Sequence, residues 1–415
     1  MATRAIVLPA ACLLAVHLGC AGDPQQSGDA ARRAGADLQA EAERLAKEIL
    51  IVDTHIDVPD RLQKKMEDIS GRTAEGDFDY PRAKAGGLDA AFMSIYVPSK
   101  LEKEGGAKLY ADGLIDMVEK FERDWPDKFA IARSPDQVLG HAARGLIAFP
   151  LGMENGAGIE DDLANLRHFH QRGIRYITLT HSEDNLICDS SYTRGEHRWR
   201  GLSPFGRQVV MEMNRLGIMV DVSHLSDEAF RQVMEVSRAP AIASHSSCRA
   251  FTPGWERNMD DDMIKSLASR GGVIQINFGS AFLNQKANEQ SVAYFDAIRK
   301  FRAESGASSG DEKDRQFTES YFKNSPRIYA TMADVVAHID HVIDLAGEDH
   351  VGLGSDFDGV GDSLPEGLKD VSGYPNLIRA LLDRGFSEQR IRKICGENLM
   401  RVWRDVERTA RELAG

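Results

Sequence analysis

Residues 218–245 have the sequence IMVDVSHLSDEAFRQVMEVSRAPAIASH. Two short apolar runs, 218–224 and 241–245, enclose the segment 227–237, whose apolar residues are spaced as in a helix. Short and nearly continuous apolar runs are typical of strands that are buried on both faces of a parallel sheet. This stretch therefore predicts a strand, a helix and a second parallel strand, with a histidine at the end of each strand.

The same alternation extends over most of the chain. Eight apolar runs are found in all, at 51–57, 90–97, 146–153, 174–180, 218–224, 241–245, 273–278 and 351–356. Helix-like segments lie between them, for example at 161–172, 204–216, 227–237, 260–269 and 333–345. Gly173, Gly217 and Gly271 stand where helices are expected to end before the next strand. Eight strands that alternate with helices predict an α/β fold of the (β/α)8, TIM-like barrel type, and a doubly wound sheet is the alternative.

Polar side chains at the strand ends favour the barrel. Seven residues that commonly bind metals or carry protons lie at or near the carboxyl ends of the predicted strands: His55, Asp57, Glu154, His181, His224, His245 and Asp356. Active sites of such barrels are built at this end, from several strands that converge on one mouth. The pattern therefore predicts a binuclear metal site at the C-terminal ends of the strands.

The residue types suit a pair of divalent cations. His55 and Asp57 are two residues apart on one strand, so both side chains point to the same side. His224 and His245 offer nitrogens for a second ion, and Glu154 can give one oxygen to each ion, although a carboxylate there could equally form a structural salt bridge. Imidazole and carboxylate ligands suit Zn²⁺ and also other divalent ions. Two such ions would activate a bridging hydroxide and polarise a carbonyl.

Three further residues are candidates for the chemistry. Asp356 ends the last predicted strand and is the expected proton carrier; Asp358 is its rival, and either carboxylate could instead cap a loop. His181 is either another metal ligand or, as we prefer, a hydrogen-bond donor to the developing oxyanion. Arg257 either binds a substrate carboxylate through its guanidinium group or is an ordinary surface arginine.

These motifs, taken in order, resemble the membrane (renal-type) dipeptidases, which are zinc peptidases of the amidohydrolase superfamily. The matching stretches lie at 52–57, 152–156, 175–182, 221–224, 244–247, 257–258, 349–360, 365–368 and 397–402. The resemblance implies two Zn²⁺ ions per subunit. It assigns one ion to His55, Asp57 and Glu154, and the other to Glu154, His224 and His245.

The resemblance also implies roles for the remaining candidates. Asp356 would be the acid and base of the reaction, His181 would contact the tetrahedral intermediate, and Arg257 would bind the C-terminal carboxylate of the substrate. Members of the family hydrolyse dipeptides, often with a D-residue at the C-terminal position, and are commonly homodimers. Gly279 departs from the family because an aromatic substrate contact is often found there, and the segment 282–330 is long for the family.

We therefore expect a zinc-dependent metallo-dipeptidase that uses metal-bridged hydroxide. The same site acting on another small amide or lactam is the alternative enzyme. The alternative without catalysis is an envelope protein that binds its ligand on a retained barrel and metal. The net charge of −13 argues against nucleic acid as a partner, because phosphate binding requires a basic surface.

The ends and insertions predict the domain organisation. Arg4, the apolar run 5–16 and the small residues that follow predict a signal peptide over 1–21 and export to the bacterial envelope or periplasm. Residues 18–20 resemble a lipoprotein box, which predicts a lipid anchor on Cys20; simple cleavage after Ala21 is the alternative. Composition predicts a flexible tether at 22–37 and a catalytic domain at 38–415. Within that domain, 282–330 is an excursion near the mouth that serves as a lid, an oligomer contact or neither.

Overall fold

The computed structural model describes residues 24–415, with side chains from residue 35 onwards, so the predicted signal peptide and Cys20 lie outside the described residues. One parallel sheet contains β1 Val52–Ile56, β2 Ala90–Tyr96, β3 Phe129–Ile131, β4 Ile147–Phe149, β5 Leu151–Glu154, β6 Ile174–Thr178, β7 Met219–Asp221, β8 Ile242–Ser246, β9 Val273–Ile276 and β10 Val351–Leu353.

Helices surround this sheet. The α-helices are α1 Pro24–Glu48, α2 Val58–Lys64, α3 Tyr80–Gly86, α4 Lys100–Glu104, α5 Ala107–Asp124, α6 Pro135–Ala143, α7 Ala164–Arg172, α8 Pro204–Leu216, α9 Asp227–Val236, α10 Asp261–Ser269, α11 Ser280–Leu283, α12 Gln285–Ser305, α13 Glu312–Asn324, α14 Met332–Ala346, α15 Tyr374–Asp383, α16 Glu388–Arg392 and α17 Asn398–Ala414. Short 3₁₀ helices lie at Gly156–Ile159, Arg249–Phe251, Glu348–His350 and Val371–Gly373, and a π-helical turn at Lys393–Glu397.

Eight of the strands form the predicted barrel. Their order is β1-β2-β5-β6-β7-β8-β9-β10, and every pair of neighbours is parallel. Two backbone hydrogen bonds connect β1 with the segment after β10: Asp356 N–H donates to the carbonyl of His55 (3.0 Å), and Asp57 N–H donates to that of Phe357 (2.8 Å). The α/β barrel class is therefore confirmed, and its closing hydrogen bonds lie beside candidate site residues.

The strand predicted over 146–153 is divided into β4 and β5. Pro150 stands between them, and a proline has no backbone N–H to give to the ladder. Strand β4 pairs with β2 where Ala148 lies opposite Ala90, and β3 pairs with the other edge of β4. The sequence did not predict β3, because three residues are too few for a period to be visible.

The predicted helix boundaries agree most closely at α8. The Ser203 side chain accepts a hydrogen bond from Gly206 N–H and begins the helix, and Gly217 with φ 78° ends it in the left-handed region. Glycine takes that conformation without the clash a Cβ would make. By contrast, α1 begins at Pro24 and covers most of the segment 22–37 for which composition predicts a tether. Alanine, glutamine and arginine in that segment favour a helix intrinsically.

The excursion forms a helical hairpin, which we define as α12 and α13. Its two helices flank the Ser-Gly-rich stretch 305–310, as the sequence predicts, and Gly306 with φ 65° ends α12. The hairpin lies at the mouth of the barrel, where its residues share a cavity with Glu154 and His181. Among residues 24–415, none of the helices has the length and apolar character needed to span a bilayer.

The amino ends of the strands are covered by α17. Trp403 on this helix is fully buried, and its ring lies 5.4 Å from that of Phe92 on β2. Phe92 lies in turn 5.4 Å from the ring of Tyr176 on β6. Aromatic packing thus runs along the barrel axis from its closed end towards the mouth.

Replacing Trp403 by alanine is expected to lower the free energy of unfolding by about 3–5 kcal/mol, because it leaves a large cavity in the packed core. Urea denaturation followed by circular dichroism measures this change. Met211→Ala, at a residue 54% exposed on α8, is the control and should shift stability by no more than about 0.5 kcal/mol. Equal stability of the Trp403 variant and the control would contradict this account of the closed end.

Candidate metal centre

All candidate residues lie at the carboxyl ends of the strands. His55 and Asp57 lie in and directly after β1, Glu154 ends β5, His181 and His224 follow β6 and β7, His245 lies in β8, Arg257 lies in the loop after β8, and Asp356 follows β10. Residues that are far apart in the chain therefore meet at one mouth because neighbouring strands are parallel. The main cavity at this mouth has a volume of about 1180 Å³.

Glu154 stands at the centre of this group. Its Oε2 lies 3.5 Å from His55 Nε2. Its Oε1 lies 3.2 Å from His224 Nε2, 3.4 Å from His245 Nε2 and 3.4 Å from His181 Nε2. Each oxygen thus faces its own imidazole group, which is the division required of a carboxylate shared between two cations. His181 lies as close to Glu154 as His245 does, so the distances leave its ligand and donor roles both open.

The two candidate proton carriers, Asp356 and Asp358, point in different directions. Asp356 shares a cluster with His55 and Asp57, in which the ligand atoms lie within 4.8 Å of one another. The side-chain amide of Asn277 donates to Asp356 Oδ2 at 2.7 Å. Asp358, two residues on, turns away and accepts a hydrogen bond from Arg61 Nε at 3.0 Å. Only Asp356 of the two lines the main cavity.

The hydrogen bonds of His55 determine which of its nitrogens carries a proton. The Tyr176 hydroxyl donates to the carbonyl of Thr54 (3.0 Å), so its oxygen accepts from His55 Nδ1, which lies 2.8 Å away. In the neutral ring, the form that binds a metal, Nε2 then carries a lone pair. This buried atom has no hydrogen-bond partner within the described chain, and it faces the carboxylates of Asp57 and Glu154 at 3.5 Å each.

His245 is oriented in a similar way. Ser244 Oγ donates to the buried carboxylate of Asp221 (2.6 Å) and accepts from His245 Nδ1 (2.7 Å). The lone pair on His245 Nε2 therefore points towards His224 Nε2, 2.8 Å away, and towards Glu154 Oε1. Such partners, behind the groups that would bind a metal, fix the ring and its tautomer.

The buried carboxylates at this centre favour a bound positive charge. Burial lowers the pKa of His55, but Tyr176, Asp57 and Glu154 together outweigh it and raise the pKa well above its ordinary value. Burial raises the pKa of Glu154, yet the surrounding histidines hold it well below its usual range. Imidazole lone pairs and carboxylates that converge in a buried site fit divalent cations, because a cation removes their mutual repulsion. The donor set therefore fits the predicted metal pair.

Arg257 lies in the wall of the cavity and is only 2% exposed. Its Nη1 donates to Ser246 Oγ (2.8 Å) and its Nη2 donates to the carbonyl of His245 (2.9 Å). Among the described residues, its buried Nε has no hydrogen-bond partner. The side chain is therefore fixed in place with three of its five N–H groups left without a partner in these contacts, and it is not a solvated surface arginine.

Sequence reasoning missed several supporting residues. Tyr176 lies 121 positions from His55 in the chain, and no local pattern links the two. Asn277, which holds Asp356, follows β9 without a motif of its own. Asp53 and Asp221 had a visible signal, because each is a carboxylate inside a buried apolar run. Asp53 accepts hydrogen bonds from the N–H groups of His55 and Ser355 (both 3.0 Å).

Comparisons with known proteins place the chain in a family. The family model described as "Membrane dipeptidase (Peptidase family M19)" matches residues 39–415. An uncharacterised dipeptidase of Schizosaccharomyces pombe is 33% identical over 402 residues, which cover 91% of this chain and 85% of that protein.

Solved structures agree in fold. The probable dipeptidase PvdM from Pseudomonas aeruginosa is 28% identical with a TM-score of 0.78, covering 90% of this chain and 100% of that chain. A metallo peptidase from Rhodobacter sphaeroides, solved with a phosphinate mimic of the dipeptide L-Ala-D-Ala, is 28% identical with a TM-score of 0.71, covering 86% of this chain and 99% of that chain.

Replacing Tyr176 by phenylalanine removes the acceptor that fixes His55 Nδ1–H. We expect the affinity for Zn²⁺ to fall by about 10- to 100-fold, as is usual when a supporting partner of a ligand is lost. Competition with a chromophoric chelator measures this affinity. Tyr321→Phe, on the hairpin, is the matched control and should bind as the unmodified chain does. Unchanged affinity in the Tyr176 variant would show that this hydrogen bond does not orient a ligand.

Proposed function

Because this chain belongs to the membrane dipeptidase family, peptidase family M19, we propose that it is a zinc-dependent dipeptidase that hydrolyses the peptide bond of small dipeptides. Substrates with a C-terminal D-residue are included in this proposal, and the Rhodobacter sphaeroides relative solved with a mimic of L-Ala-D-Ala supports their inclusion. We propose two ions per subunit, one held by His55, Asp57 and Glu154, the other by Glu154, His224 and His245.

One observation carries the proposal. The Glu154 carboxylate lies between His55 and the three imidazoles of His181, His224 and His245, and the buried Arg257 lines the same cavity. A site for cations and a fixed site for a carboxylate thus occur side by side. A dipeptide requires both, since its scissile carbonyl lies only a few bonds from its terminal carboxylate.

The cations, when bound, would supply a nucleophilic water of lowered pKa and would polarise the scissile carbonyl. Arg257 orients the substrate by donating free guanidinium N–H groups to the terminal carboxylate, while Ser246 and the carbonyl of His245 hold the side chain in place. Orientation of this kind makes the reaction effectively intramolecular.

Asp356 moves the proton in this mechanism. Burial and then the neighbouring Asp57 carboxylate raise the pKa of Asp356 to about 7, so the group can take up and release a proton near neutrality. Asn277 holds Oδ2 through its side-chain amide, which leaves Oδ1 for the proton. The proton is taken from the attacking water and returned to the leaving amine.

His181 stabilises the oxyanion in this mechanism by donating a hydrogen bond. Burial lowers the pKa of His181, so the ring is neutral and has one N–H to donate. Its Nδ1 is buried and unpaired among the residues described, and its ring packs at 4.9 Å against Tyr96. A neutral imidazole at the rim can donate to the negative oxygen of the tetrahedral intermediate.

The assembly and location remain predictions. A homodimer, export to the envelope and a lipid anchor on Cys20 are expected from the sequence, as is the absence of nucleic acid partners. Mass photometry of the purified mature chain and mass spectrometry of its first peptide test the homodimer and the anchor directly.

Asp356→Asn is expected to keep its metal and to lower kcat by at least about 100-fold, because the amide cannot carry the proton. Metal content by elemental analysis and turnover of L-Ala-L-Ala and L-Ala-D-Ala are measured together. Asp358→Asn is the matched control, since its carboxylate faces Arg61 and not the cavity. Full activity of the Asp356 variant would remove it from the mechanism.

Arg257→Met is expected to raise KM for free dipeptides while leaving C-terminally amidated dipeptides unaffected. The lost hydrogen bond to a charged group is worth about 1.5–3 kcal/mol, or about tenfold to a hundredfold in kcat/KM. Kinetics on the acid and amide pair give the readout. An equal loss on both would assign Arg257 a structural role, and faster turnover of lactams or N-acyl amino acids than of dipeptides would favour the alternative enzyme.

A further inference from the structure

The cavity extends well beyond the metal centre. Its lining includes apolar side chains of the hairpin and of the segment that follows it, beside polar ones such as Gln290 and Arg299. Val292, Phe295 and Ile328 are 39%, 59% and 40% exposed, although each is a large apolar residue. Exposed apolar groups that line a concave surface are typical of a site that binds an apolar ligand group. We call these three residues the outer wall.

The hairpin that carries the outer wall is well packed. Tyr294 lies 4.8 Å from the ring of Phe322, and its hydroxyl is 2.9 Å from Thr318 Oγ1. Farther along, the rings of Phe301 and Phe317 stack at 4.5 Å. These contacts hold α12 against α13, so the outer wall is preformed.

Two hydrogen bonds connect the hairpin to the segment that carries Ile328. The Gln290 side chain donates to the carbonyl of Pro326 (2.9 Å) and accepts from the backbone N–H of Ile328 (2.9 Å). The three members of the outer wall therefore keep their relative positions. A preformed surface binds an apolar group without first having to be ordered.

Apolar side chains also lie beside Arg257. The Phe282 ring lies 5.0 Å from the Arg257 guanidinium group and 4.9 Å from the ring of Trp255. At Gly279 an added Cβ would lie 3.0 Å from Phe282 Cδ2, so the Phe282 ring occupies the space beside that glycine. Trp255 and Phe282 thus form an apolar surface at the proposed carboxylate site, and the outer wall lines the same cavity; we call these five residues the apolar path.

We propose that this path binds the side chain of the substrate's C-terminal residue and selects dipeptides in which that side chain is large and apolar. The inference rests on the proposed function, in which Arg257 binds the carboxylate of that same residue. Its side chain leaves the Cα that bears the carboxylate, and so it enters the path at Phe282. A cavity of about 1180 Å³ is larger than a small dipeptide fills, which leaves room for such a group. Phe295 is the specificity-determining residue.

The test compares kcat/KM for L-alanyl dipeptides that end in phenylalanine or alanine, each with the L and the D form of the final residue. L-Phe-L-Ala is measured beside them, and mass photometry gives the oligomeric state of each variant. We expect the phenylalanine substrate to be preferred by at least about tenfold, since burying extra apolar groups in a pocket discriminates to that degree. Phe295→Ala should lower this preference severalfold through KM and leave kcat/KM for the alanine substrate unchanged. Circular dichroism verifies the fold of the variant, whose side chain is largely exposed.

Leu109→Ala, at a residue 78% exposed on α5 and outside the cavity, is the matched control and should keep the full preference. Three outcomes would overturn the inference. An unchanged preference in the Phe295 variant would exclude the outer wall from specificity, and a loss seen only with N-terminal phenylalanine would place the other substrate residue there. Conversion of a dimer into a monomer by Phe295→Ala, with the preference intact, would make the wall a contact between copies. Absence of hydrolysis with every dipeptide would refute the proposed function itself.

Discussion

The convergence of four imidazole rings on one buried carboxylate is the constraint on which this structure depends. Glu154 faces His55 through one oxygen and three further histidines through the other. A lone pair and a carboxylate oxygen at these distances repel unless a proton or a cation lies between them, so contacts elsewhere must hold the rings in place. Tyr176 does this for His55, and the pair formed by Ser244 and Asp221 does it for His245. The hydrogen bonds inside the barrel are therefore part of the site.

The backbone is also strained at two residues of the site. His224 has φ 71° and Asp356 has φ 64°, a region that residues with a Cβ seldom adopt and that costs about 1–3 kcal/mol each. A domain whose net stability is about 5–15 kcal/mol can hold such residues only if the surrounding structure fixes them. At Asp356 this support is visible, because its N–H closes the barrel onto the carbonyl of His55. The closed end, packed by Trp403 and Phe92, stabilises the fold away from the chemistry.

The sequence predicted what local patterns encode. Apolar runs placed the eight barrel strands, and the polar residues at their ends identified the members of the site, since parallel strands bring their carboxyl ends together. The sequence could not show which of Asp356 and Asp358 faces the cavity. The two lie two residues apart, and the turn between them directs Asp356 towards the cavity and Asp358 towards Arg61. Nor did the sequence reveal Tyr176 as the partner of His55, since that hydrogen bond depends on how strands β1 and β6 face each other across the barrel. Pro150 could have predicted the division between β4 and β5, but the apolar residues on both sides of it indicated one continuous strand.

The candidate metal ligands and the residues proposed to select the substrate lie on different parts of the fold. The candidate ligands lie on strand ends, where a shift of one residue would turn a side chain to the other face of the sheet. Phe282 lies instead on the short helix α11, and the outer wall lies on the hairpin and on the segment that follows it. These parts can change in length without altering the register of any strand. A hairpin that is packed through its own aromatic residues can vary its exposed side chains at little cost to the barrel. Substrate preference in this chain is therefore expected to depend on residues that contribute nothing to the binding of metal.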